Sequence, residues 1–253
     1  MIKTEQEIQA MREGGKLLGE ILKALAKEVK PGVSTESLNT HAENMIAKAG
    51  SLPAFKGYSM SGLPPYPCAL CVSVNEEVVH GLAVPDRIVK EGDIVGLDLG
   101  LIFQEMYLDS ALTVAVGSIS EKAQRLMDVT KESLDLAIKQ VKPGNTTGDI
   151  GFAVQEFVEK EGLSVIRELV GHGVGKAVHE PPQIPNYGSK GSGELLAPGM
   201  TIAIEPMVAL GDWRLKFSTK DWPIVTKDGS WSAHFEHTVL VTDKGYEVLT
   251  VRK

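Results

Sequence analysis

Only two cysteines occur in this chain, Cys68 and Cys71. That is too few for a disulfide framework, and there is no second pair to complete a structural zinc site or a redox helix around Cys68-Ala69-Leu70-Cys71. No apolar run approaches the ~20 residues that span a bilayer. The amino terminus reads Met1-Ile2-Lys3-Thr4-Glu5-Gln6-Glu7, charged where a secretory leader carries its apolar stretch. A basic excess is missing too. The 26 Lys and Arg stand against 33 Asp and Glu, a formal net charge of -7, so direct nucleic-acid binding is not expected. These absences predict a protein of a reducing compartment, most simply the cytoplasm, with no membrane partner. Hydrophobic content of 43% and charged content of 23% are those of an ordinary globular chain.

What is present begins with an internal repeat. Val29-Lys30-Pro31-Gly32 returns as Val141-Lys142-Pro143-Gly144. Each copy is followed by a Thr (Thr35, Thr147) placed to start a helix and by apolar residues near helical spacing: Leu38, Ala42, Met45, Ile46 in the first, Ile150, Val154, Phe157, Val158 in the second. Downstream, Gly92 to Asp98 parallels Gly199 to Glu205. Each reads as a turn feeding a short buried strand that ends in a carboxylate. A second acid follows in each copy, Asp109 ahead of Leu112 to Val116, and Glu236 ahead of Val239 to Val241. A long-period repeat of this kind predicts one catalytic domain over residues 1-253, built from half repeats of about 4-117 and 118-250, rather than a solenoid.

The pairing of acids implies cations. Two unit charges about 4 Å apart repel by roughly 4 kcal/mol at an effective dielectric near 20, so four clustered carboxylates need neutralising. Two divalent ions would balance Asp98, Asp109, Glu205 and Glu236, with His172 adding a neutral nitrogen. Hard oxygens with one imidazole suit manganese, iron, cobalt or zinc. Any one acid taken alone is an ordinary surface residue; acids set in apolar strand-like runs are not.

Elsewhere, Thr4 and Glu7 resemble a capping box ahead of an amphipathic helix bearing Ile8, Met11, Leu18, Ile21, Leu22 and Leu25 on one face. Cys71 to Gly81 reads as strand, turn and strand leading to His80. His41 is placed on a helix surface, and His234 and His237 are assigned to strand packing.

The set Asp98-x10-Asp109, Gly171-His172-Gly173-Val174-Gly175, Ile204-Glu205-Pro206-Met207 and Glu236-His237-Thr238 is similar to that of methionine aminopeptidases of type I, over about Thr4 to Leu249. The resemblance implies an α/β (α+β) pita-bread fold: two pseudo-two-fold-related halves, a curved antiparallel sheet and flanking helices. It implies a hydrolase that removes the initiator methionine from nascent polypeptides with a dinuclear metal centre, iron or manganese in the cell and cobalt in the test tube. Glu205 would be general base as well as ligand; His179 would stabilise the oxyanion and His80 contact the substrate nitrogen. Tyr66, Cys71 and Trp222 would line the methionine pocket, where sulfur and aromatic edges suit a thioether. The glycines around His172 and His179 fit an active-site loop. A monomer with transient ribosome contact is the expected assembly. Only 32 residues separate His172 from Glu205, too few for the helical insertion of type II members. Two departures stand out: a long Phe55 to Pro67 loop beside the pocket, and an unusually apolar hairpin tip from Leu101 to Met106. Two other readings stay open, a prolidase-like enzyme sharing the five ligands and a non-catalytic binding module of the same fold.

Overall fold

A computed structural model describes residues 2–60 and 62–252. Ser61, inside the long loop, lies outside them. The helices are α1 (Glu5–Glu28), α2 (Thr35–Lys48), α3 (Glu121–Ile138) and α4 (Thr147–Lys160). The strands of the first half are β1 (Leu52–Pro53), β2 (Leu70–Val74), β3 (Glu77–Val79), β4 (Ile94–Phe103) and β5 (Met106–Ala115). Those of the second half are β6 (Ser164–Val165), β7 (Gly171–Gly173), β8 (Glu180–Ile184), β9 (Thr201–Ile204), β10 (Met207–Ala209), β11 (Leu215–Lys216), β12 (Ile224–Thr226), β13 (Ser232–His234), β14 (His237–Thr242) and β15 (Gly245–Val248). No described helix is long and apolar enough to cross a membrane.

Two antiparallel sheets carry the site. In one, β4 pairs with β5 along one edge and with β1 and β2 along the other; the second runs β15-β14-β9-β7-β8. The smaller sheets β13-β10-β6 and β11-β12-β3 close the flanks. Helices α1 and α2 cover the first sheet through a core of Met11, Leu18, Leu22 and Leu38 against Leu70, Leu97, Leu99 and Leu108. Helices α3 and α4 pack Leu126, Leu134, Ile150 and Val154 on Ile202, Ile204 and Val239.

Local chemistry starts each element. The Thr4 and Glu7 capping box is present, and all six apolar residues assigned to the α1 face are buried. In α2 and α4 the helix starts at the expected Thr35 and Thr147, each preceded by its cap: Ser34 accepts the Ser37 N–H and Thr146 accepts the Asp149 N–H. The caps lie one residue outside the helices because a cap must hold an extended backbone while its oxygen turns back. The apolar hairpin tip also resolves. Leu101 and Met106 are strand residues, Leu101 paired with Leu108 and Phe103 with Met106, and both face the α1 core. The turn is only Gln104-Glu105, both at positive φ (48° and 65°), the geometry of a tight hairpin that follows strand twist.

Candidate active site

The carboxylates converge because of strand register. Asp98 lies opposite Ala111 across β4 and β5, and Asp109 lies opposite Gly100. Side chains two residues apart share a face, so Asp98 and Asp109 are diagonal neighbours on one side of the sheet; the ten intervening residues are what a hairpin of this register requires. Asp98 is therefore mid-strand, not at a strand end as the repeat suggested. On the other sheet His172 of β7 pairs with Ala203 of β9, which places it diagonal to Glu205 just beyond that strand. Glu236 sits immediately before β14 and donates its N–H to the Ala111 carbonyl (2.9 Å). Hydroxyls stitch the two sheets together here: Ser110 donates to the Glu236 carbonyl (2.8 Å) and Thr238 to the Asp109 carbonyl (2.7 Å).

The ligand atoms of Asp109, His172 and Glu236 all lie within 4.8 Å of one another. His172 Nε2 is 3.5 Å from Glu205 Oε1 and 4.0 Å from Asp109 Oδ2. Its Nδ1–H donates to the Gly173 carbonyl (2.9 Å), which leaves the Nε2 lone pair facing the acids, the tautomer a metal ligand needs. Asp98 Oδ1, Asp109 Oδ1 and Glu236 Oε1 are buried without any hydrogen-bond partner. Orphaned buried carboxylate oxygens are costly, and several aimed into one space are what divalent cations satisfy. The donor set fits metal.

Electrostatics divide the four acids. Burial pushes Asp98 up to about 6, assisted by Glu205. Asp109 and Glu236 are driven well above the ordinary carboxylate range, chiefly by burial and then by their acidic neighbours. For Glu205 burial also raises the pKa, but the imidazoles of His234 and His172 outweigh it and hold the group below its usual value. His234, assigned to strand packing from sequence, stands with Nε2 3.5 Å from Glu205 Oε2. The signal was in the alternation: His234 and Glu236 are two residues apart in an extended segment, hence on one face.

A cavity of about 400 Å³ opens over these groups, and Tyr66, Cys71, His80, Asp98, Asp109, His172, His179, Glu205, Trp222 and Glu236 all line it. Every residue that the resemblance assigns to the metal site or the substrate is thus brought to one place. Trp222 donates its ring N–H to the Pro64 carbonyl (2.9 Å) and meets Tyr66 edge-on, 5.1 Å between centroids. The Tyr66 hydroxyl donates to the Gly81 carbonyl (2.8 Å). Burial raises the Cys71 thiol well above its ordinary value, so it is a neutral, soft wall rather than a nucleophile. His80 has positive φ (58°), a conformation rare outside glycine, and burial lowers its imidazole to about 4. Tyr58, from the long loop, shares a hydrogen bond with His179 Nδ1 (2.9 Å), and the His179 ring stands edge-on to His172, 4.4 Å between centroids. Phe55 and Tyr58 both line the cavity, with Tyr66 at its buried end. His41 is on the surface of α2 beside Glu28, and His237 packs with Thr250 (2.9 Å), as expected of both.

A buried constellation of acids beside an imidazole, carried on two antiparallel sheets, is a donor set that fits metal, and the sequence points the same way: residues 9–243 match metallopeptidase family M24. The chain belongs to that family. Within it the chain falls with the methionine aminopeptidases, which are hydrolases. It is 45% identical over 251 residues to methionine aminopeptidase of Clostridium acetobutylicum, covering 99% of this chain and 98% of that one. It is 42% identical to the Escherichia coli K12 methionine aminopeptidase, covering 100% and 94%. The crystal structure of methionine aminopeptidase from Thermotoga maritima superimposes with a TM-score of 0.95 at 48% identity, covering 99% and 98%. A prolidase from Pyrococcus horikoshii shares the pita-bread fold at 24% identity and a TM-score of 0.80, with 64% of its own length covered.

Proposed function

We propose that this chain removes the amino-terminal methionine of polypeptides, with Asp98, Asp109, His172, Glu205 and Glu236 holding two divalent cations. The observation that carries this reading is the set of orphaned carboxylate oxygens on the floor of a cavity whose wall is Tyr66, Cys71 and Trp222. Cations bound there supply the charge that lowers the pKa of a water molecule from 15.7 toward ~7, giving a nucleophile at neutral pH. Iron, manganese, cobalt and zinc all suit the donors; availability decides among them.

The protein side of the reaction divides among four groups of residues. Glu205, which His234 Nε2 approaches at 3.5 Å, accepts a proton from the attacking water and returns it to the leaving amine. His179 donates a hydrogen bond to the developing oxyanion. His80, kept neutral by burial, contacts the peptide nitrogen. Tyr66, Trp222 and Cys71 receive the methionine side chain through apolar and sulfur contacts. One domain spanning both half repeats performs the reaction, acting in the cytoplasm as a monomer with transient ribosome contact; two free buried cysteines support a reducing setting.

The test is selective hydrolysis. Supplied in turn with manganese, iron, cobalt and zinc, the protein is to be incubated with Met-Ala-Ser and with Ala-Pro-Ala. Release of methionine from the first alone is expected. Cleavage of only the second would make it a prolidase-like enzyme, and cleavage of neither would overturn the catalytic reading.

A further inference from the structure

The loop that carries His179, between β7 and β8, is held by a part-buried ion pair, between buried Lys3 and half-buried Glu180, that takes no direct part in the site. Lys3 has a side chain with 0% exposure, and its ammonium lies 2.7 Å from Glu180 Oε2. Glu180 immediately follows His179. Its other oxygen, Oε1, accepts the backbone N–H groups of Lys176 and Ala177 (3.1 Å for Ala177), so one carboxylate fixes the bend of the loop. The Lys3 stem fills the space beside Gly175: a β-carbon there would stand 2.2 Å from Lys3 Cε, at a backbone φ of 144°. Lys176 continues the bracing through an ion pair to Glu7 on α1 (3.0 Å).

Lys3 is itself anchored to the strand that leads to Glu205. Its N–H donates to the Gly199 carbonyl (2.8 Å), and Ile2 bridges to Met200, just ahead of β9. The chain therefore ties the β9 end and the His179 loop to one point. A buried ion pair contributes little net stability when compared with well-packed apolar side chains, because desolvation offsets the attraction. What such a pair supplies is geometry, and here the geometry it sets is that of the loop next to His179.

We infer that Lys3 is a positioning residue for catalysis: through Glu180 it sets the backbone that aims His179 at the reacting carbonyl. The inference rests on the aminopeptidase reading above. A loop displaced by even an ångström would weaken a hydrogen bond made in the transition state, so the effect belongs in kcat, with substrate binding and metal binding left alone.

The experiment is a double-mutant cycle on the full-length, metal-loaded protein with Met-Ala-Ser as substrate. Lys3→Met keeps the stem that packs on Gly175 and removes the charge. It is expected to lower kcat by about tenfold or more, with KM and metal content by elemental analysis unchanged; placed in a His179→Ala background it should cost almost nothing further, since residues acting through one group are not additive. Lys3→Arg, which restores the cation, should recover part of kcat. Because Lys3→Met takes the cation away from Glu180, Lys3→Met/Glu180→Gln provides a second variant that removes both charges; it too should lose kcat, and only while His179 is present. Wild-type kcat in either variant, or an equal fractional loss with and without His179, would overturn the inference. If the parent protein released no methionine under any metal, the aminopeptidase reading would fail instead, and the two failures are thereby distinguished.

Discussion

Each acid in the cavity answers to its immediate surroundings, and single substitutions separate the roles. His172→Ala removes the imidazole whose Nε2 faces Asp109 and Glu205; one metal site should weaken and turnover fall by orders of magnitude while circular dichroism reports an intact fold. Unchanged turnover at saturating metal would remove His172 from the ligand set. His179→Ala should lower kcat on the order of 10²–10³-fold, the usual loss of one oxyanion donor, with metal content preserved. Departure of the metals would place His179 among the ligands. Asp109→Ala should release at least one ion on elemental analysis.

The raised carboxylates also give the metal-free protein a pH dependence whose sign can be worked out. Asp98 has a folded pKa of about 6 against an ordinary 3.8, and Asp109 and Glu236 shift the same way. Between those values the native state binds more protons than the unfolded chain, so stability falls as pH rises. The contribution is full below about pH 4 and lost as pH climbs through 6 and beyond. Burial lowers His80 to about 4, which acts in the opposite sense, so the carboxylates are isolated by comparison: metal-free protein should lose Tm relative to an Asp98→Asn variant between pH 4 and 7, and added manganese should reverse the loss in the wild type. A metal-free wild type that gained Tm on that variant over the same window would mean the carboxylates are not forced together.

At the scale of elements, helix α1 sits unusually close to the chain that returns at Val251. Replacing a helical glycine by alanine ordinarily stabilises by ~1 kcal/mol. At Gly19 the added carbon would stand 2.4 Å from the Val251 carbonyl oxygen, a backbone atom. Steric conflict with a main chain wins, and Gly19→Ala should destabilise, by roughly 1–3 kcal/mol as overpacking does. Urea unfolding checks the sign: a higher midpoint would show that α1 and the Val251 segment can separate freely.

Elements also show where sequence reasoning reached and where it stopped. The apolar stripe and capping box of α1 were legible because both follow fixed helical spacings. The Asp98 and Asp109 pair was legible as two acids in apolar runs, but Asp98 was misplaced at a strand end. A strand buried on both faces gives no alternation to mark its length, and the two-residue turn at Gln104-Glu105 carries none of the glycine or asparagine that signals a tight hairpin. His234 was missed for a different reason. Its importance lies in a 3.5 Å approach to Glu205, and only the pairing of β13 and β10 and the placement of Glu205 beside them create it. The link between Lys3 and Glu180 spans 177 positions, beyond any local pattern.

For the whole molecule, two sheets from the two parts of the chain each bring two carboxylates to one cavity, and hydroxyls of Ser110 and Thr238 hold the sheets in register there. The fold supplies a rigid cradle of carboxylates whose mutual repulsion is relieved by protonation in the metal-free protein and by cations when they bind. Family membership and fold agree with this arrangement. The number of ions is the point on which the proposed function turns, because one divalent ion would leave the four acids incompletely neutralised.

The most direct measurement is calorimetric titration of metal-free protein with manganese at neutral pH, with elemental analysis of the saturated product and a parallel assay of methionine release from Met-Ala-Ser. Two equivalents bound per chain, protons released on binding, and activity that appears with the metal are predicted. A saturated protein that holds no divalent ion, or that holds one and gains nothing from a second, would contradict the account.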